Sequence, residues 1–89
     1  MEGTMTGADR GALVRAWNAL NQALTLQEAR DALERLQPRP DAGAELWIGY
    51  HVRAAKVYRR VARTDRYHHH EALAFAQVEE NSAEKLKPQ

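Results

Sequence analysis

The sequence predicts an all-α domain, a small bundle of three or four helices in which the third and fourth form an antiparallel hairpin. Three observations carry this. Apolar residues recur at three- and four-residue intervals over most of the chain, with no strand-like alternation. Alanine, the strongest helix former, supplies much of the 44% apolar content. Proline and glycine gather in one interior stretch, 38–43, which divides the chain into two helical halves.

Residues 1–7 hold two glycines and no apolar pattern, and read as a flexible N-terminal arm ahead of a single domain over 8–87. Helix 1 follows over roughly 8–22, where Leu13, Ala16, Trp17, Leu20 and Leu24 keep helical spacing and Thr6 with Asp9 offers an N-cap. Thr25-Leu26-Gln27-Glu28 is a capping box: the threonine hydroxyl accepts from the third helical N–H, and the glutamate reaches back to the threonine N–H. It opens helix 2, roughly 26–36, with a narrow stripe of Leu26, Ala29, Leu33 and Leu36. Pro38 and Pro40 stop that helix, since neither can donate and each disfavours helix just before it. Helix 3 starts near Asp41 or Gly43 and runs to about Arg63. Thr64-Asp65 reads as a break and a new N-cap, and helix 4 runs from about Arg66 to Leu86, ahead of Pro88. A continuous helix through 64–66 is the alternative.

The chain has 89 residues, so it holds one domain at most, with a thin core. Leu, Ile, Val and Phe together number only 16. The net charge of +1 nevertheless lacks the excess that keeps a chain unfolded. A marginal helical fold that gains from a partner or a second copy is expected. Without cysteine there is no disulfide framework and no thiolate zinc site. No apolar run is long enough for a membrane span, and the first residues lack a secretion signal, so a cytoplasmic protein is the expectation.

Helix 3 is sharply two-faced. On a wheel of about 100° per residue, Leu46, Trp47, Tyr50, Ala54, Val57, Tyr58 and Val61 share one side. Arg53, Lys56, Arg59, Arg60 and Arg63 share the other, joined by Arg66 if the helix continues. No acid lies between Leu46 and Thr64. Such a face can track a phosphate backbone or meet an acidic protein. The plainer alternative is a solvated face, paired with acids from helices 2 and 4. Near-neutral net charge favours the plainer alternative over a dedicated nucleic-acid binder. Leu24–Ala29 has the look of a helix-turn-helix opening. The Pro-Arg-Pro loop is too long for that turn, however, and the next helix is too long and too aromatic on one face.

His68-His69-His70-Glu71 carries potential metal ligands, and His51 on helix 3 could add another. Consecutive helical residues point about 100° apart, so three neighbours cannot close around one ion. The wheel turns His68 and His69 toward the side of Ala72, Phe75, Ala76, Ala83 and Leu86, and His70 away from it. They are expected to be half-buried, bonding to helix 3 or to a backbone carbonyl; a pH-responsive contact is the alternative. Tyr50 and Tyr58, with Trp47 near them, are expected to line a helix–helix seam with the tyrosine hydroxyls at its edge, and any aromatic left exposed would mark an interface. No catalytic constellation stands out, so no enzyme activity and no cofactor are expected.

The stretch from Trp47 and Tyr50 through Val57-Tyr58 and Val61-Ala62 to Asp65-Arg66-Tyr67-His68-His69-His70-Glu71-Ala72 resembles a group of short actinobacterial helical proteins with an Asp-Arg-x-His-His-His-Glu-Ala segment. The likeness covers about residues 25–86. It implies a soluble helical bacterial protein with no assigned activity, and carries across no catalytic residue. The expectation is a non-enzymatic interaction or regulatory protein working through helix faces, with a protein partner or a homodimer. Polyanion binding by the basic face and sensing by the histidines are the alternatives, and no membrane is involved.

Overall fold

The computed structural model describes residues 7–88, with side chains from Arg10 onward. It contains α1 (Gly7–Gln22), α2 (Leu26–Leu36), α3 (Ala44–Thr64), one 3-10 turn (Arg66–His68) and α4 (His69–Leu86). No strand occurs among the described residues. The expected arm over 1–7 lies outside the described residues except for Gly7, where α1 begins. The cap from Thr6 and Asp9 lies outside them too.

The capping box is formed. Glu28 N–H donates to the Thr25 hydroxyl at 3.1 Å, and the Glu28 carboxylate accepts from the N–H groups of Leu24 and Thr25. These bonds, from Leu24 first, hold the Glu28 carboxyl below its ordinary range. At the other end of α2, Gln37 is extended, as a residue before proline tends to be.

Helix α3 ends at Asp65, whose backbone (φ −98°, ψ 79°) leaves the helical region. The chain is therefore not one helix through 64–66. It reverses there, and α4 returns antiparallel along α3: Ala62 meets His69, Tyr58 stacks on Phe75, and His51 meets Glu79. Alanines line this seam, with Ala55 and Ala62 buried on α3 and Ala72, Ala76 and Ala83 on α4. With no bulk beyond Cβ, they let the two helices pack closely.

The core joins Leu20 of α1 and Leu26 and Leu33 of α2 to Val57, Tyr58 and Val61 of α3. Among the described residues sixteen apolar ones are buried; ten are alanine, and Leu20 and Val61 are the largest that are wholly buried. The Cα trace spans 45 × 36 × 14 Å, a flat body. With so few large side chains inside, its stability leans on helix propensity and capping as well as on apolar burial.

The corner between α1 and α2 is fastened by the last turn of α3. The Arg60 guanidinium donates to the carbonyls of Leu20 (2.6 Å) and Ala23 (3.2 Å), and the Thr64 hydroxyl donates to that of Leu24 (2.6 Å). These carbonyls lie at and just beyond the end of α1, where intrahelical donors run out; that of Leu20 also accepts from Ala23 N–H at 3.3 Å. The Asp65 carboxylate accepts from Leu26 N–H at 2.8 Å, at the first residue of α2.

Leu46 departs from expectation. It lies on the apolar side of the wheel, yet it is 65% exposed. Leu24 is exposed as well, because it belongs to the α1–α2 turn and not to the helix whose spacing it continues. Leu86, placed with the inward side of α4, is 40% exposed at that helix's last turn.

Candidate functional site: an apolar groove between three helices

The five cations of α3 do not form one free surface. Arg60 is half-buried on the α1–α2 corner. Arg59 pairs with Glu80 of α4 (Nε–Oε2 2.9 Å), and that hydrogen bond raises its already high pKa. Arg53 lies over the Trp17 ring, 4.7 Å from its centroid, a cation–π contact between α3 and α1. Lys56 and Arg63 are exposed, as is Arg66 in the turn beyond. One helix face has thus been shared among three neighbours, because α1, the α1–α2 corner and α4 each lie beside a different part of it.

The aromatic residues also divide. Trp47 and Tyr50 meet edge to face at 5.7 Å. The Trp47 indole N–H donates to the Arg39 carbonyl, anchoring the proline loop, and the Tyr50 hydroxyl donates to the Leu33 carbonyl. Burial, aided by the charge of Glu79, pushes the Tyr50 pKa up to about 12, which keeps that donor protonated. Tyr58 is buried and stacks on Phe75, whose ring also lies under Arg30. Burial raises the Tyr58 hydroxyl too.

The histidines each have a separate partner. His68 Nδ1 lies 3.0 Å from the Asp65 carboxylate. His69 Nδ1 lies 2.7 Å from the Ala62 carbonyl. A carbonyl can only accept, so His69 Nδ1 carries the proton. The nearby Arg66 Nη1, 3.4 Å from the same nitrogen, is then a donor facing a donor and not a hydrogen bond. His70 is exposed. His51 bonds Glu79 at 2.6 Å, well along α4 from the histidine run. Among the described residues no three His, Cys, Asp or Glu side chains come together as a metal site.

What the sequence reading missed is a groove. Trp17 and Leu20 of α1, Leu33 and Leu36 of α2, Pro38 of the loop, and Leu46, Gly49 and Tyr50 of α3 enclose a cavity of about 410 Å³, open on one side. Its lining is chiefly apolar, and Glu45 and Arg53 stand at its edge. It forms because α2 ends at Leu36 while α3 begins only at Ala44, so the first turns of α3 extend past their cover. Leu46 and Trp17 lie against this gap, 65% and 40% exposed, and Val14 is exposed one turn before Trp17. The one signal that could have pointed here is the i, i+3 pair of Val14 and Trp17, apolar residues more than the thin core requires.

Neither protein-family models nor curated proteins nor solved structures match this chain. The chemistry of the groove itself indicates what it can hold. Concave, apolar and bordered by a few charges, it suits an apolar side chain or a helix face better than a polar substrate. Among the described residues no helix is long and apolar enough to cross a membrane.

Proposed function

We propose that this chain is a non-enzymatic interaction protein, regulatory or accessory in role and cytoplasmic, which engages a protein partner through the groove between α1, α2 and the first half of α3. The observation that carries this reading is the exposure of Leu46 and Trp17 beside a 410 Å³ apolar groove. With only six apolar side chains larger than alanine buried among the described residues, the chain gains from covering such a surface. Polyanion binding has less support, since two of the five expected cations are engaged by Glu80 and by the end of α1. Histidine-based metal sensing has less support as well, since His51, His68 and His69 are each occupied by a separate acceptor.

A photo-crosslinking amino acid placed at Leu46 in living cells tests the reading. A discrete adduct at position 46, absent from the same probe at the exposed Gln77 of α4, is the expected result. Equal labelling at both positions, or none at 46, counts against the groove.

A further inference from the structure

Gly49 stands inside α3, where glycine weakens a helix relative to alanine. Nothing in the chain's own packing requires it: a Cβ built there would meet no atom within 4 Å, and Gly49 is exposed at the groove. Around it the sequence has a reversed symmetry. Glu45 precedes it by four residues and Arg53 follows it by four; Leu46 precedes it by three and Val52 follows it by three. Glu45, Gly49 and Arg53 form one i±4 ridge on the helix surface. Glu45 and Arg53 are about 12 Å apart along the axis, too far to pair with each other. Among the described residues neither has an ion-pair partner, and Arg53, which lies over the Trp17 ring of α1, keeps its charge unneutralised there.

Building on the groove reading above, we propose that the partner is a second copy of this chain, with the two α3 helices crossing antiparallel at Gly49 so that Glu45 of each copy faces Arg53 of the other. Two such ridges laid antiparallel at the common crossing angle of about 50° bring the glycines together at the centre and opposite charges together on both sides. A parallel crossing would set Glu45 on Glu45 and Arg53 on Arg53, so charge selects the antiparallel one. Leu46, on the groove side of the ridge, lies where the second copy covers it, and Val52 of that copy is its counterpart across the axis. The missing Cβ at 49 lets the helices approach, which is the use for a glycine that the single chain does not explain.

The chain has no cysteine, so Gly49→Cys introduces the only thiol. Under mild oxidation at micromolar concentration it becomes a covalent dimer, while Gln77→Cys stays largely monomeric. In sedimentation the unmodified protein is a dimer, and Leu46→Glu is a monomer with unchanged helical circular dichroism. Glu45→Arg weakens the dimer about tenfold, because two symmetry-related attractions become repulsions, and adding Arg53→Glu restores it. A monomer at every concentration, with Gly49→Cys crosslinking no more than Gln77→Cys, overturns the proposal. So does a dimer that the double charge reversal fails to restore. If the dimer fails while the probe at Leu46 captures a different protein, the groove reading survives and only the second copy is lost. If no adduct forms at 46 either, both fall.

Discussion

Asp65 serves two helix starts at once. One carboxylate oxygen accepts from the first N–H of α2 and from the His68 ring, and the other from His68 N–H at the entry to α4. Its side chain is about 10% exposed, and these bonds, from Leu26 N–H first, hold its pKa below the ordinary 3.8. A carboxylate whose folded pKa is depressed stabilises the fold fully above its ordinary value, and the contribution is lost as pH falls through the lowered one. Thermal melts should therefore lose stability below about pH 4, with Glu28 contributing in the same direction. Asp65→Asn should lower the melting temperature at pH 7 and make the acid side of the curve shallower. An unchanged pH profile in this variant would show that the capping bonds do not carry the effect. Arg60 acts at the same corner. Arg60→Ala leaves the Leu20 and Ala23 carbonyls without their charged donor and should cost about 2 kcal/mol in denaturant unfolding. A solvated member of a basic face would cost almost nothing, so this measurement separates the two roles.

At the scale of the element, α2 and α3 start differently. Helix α2 has a full capping box, whereas α3 begins at Gly43 with no side-chain cap. The Gly43 backbone (φ −66°, ψ 161°) suits any residue, and a Cβ there meets nothing within 4 Å. Gly43→Asp should therefore raise stability by about 0.5–1 kcal/mol, through a new cap, a favourable charge at the helix start and a less flexible unfolded chain. The α3–α4 seam is sensitive in the opposite direction. Ala76 is fully buried there, and Ala76→Leu should cost about 1–3 kcal/mol by forcing the helices apart, visible as a lower urea midpoint.

The flat shape and the alanine-rich interior act at the scale of the whole molecule. A single copy covers little apolar surface with large side chains, and the groove leaves more of it open. If two copies join across α3, unfolding is coupled to dissociation. The melting temperature should then rise with protein concentration over about a hundredfold range. In Leu46→Glu it should not move with concentration. A melting temperature independent of concentration in the unmodified protein would count against the joined state.

The four helices, the capping box at Thr25, the stop before Pro38 and the break at Asp65 were all readable in the sequence, because each depends on residues within one turn of one another. The inward set Ala54, Val57, Tyr58 and Val61 was readable for the same reason, since periodicity alone places those residues on one side. Where the polar side chains went was not. Arg60 bonds a carbonyl 40 positions away and Asp65 an N–H 39 positions away, and no local pattern records how α1 and α2 lie against the end of α3. The exposure of Leu46 and the groove beside it were decided the same way, by where α2 stops relative to α3. Local spacing determined which residues could face inward; the relative placement of whole helices decided which of them were covered.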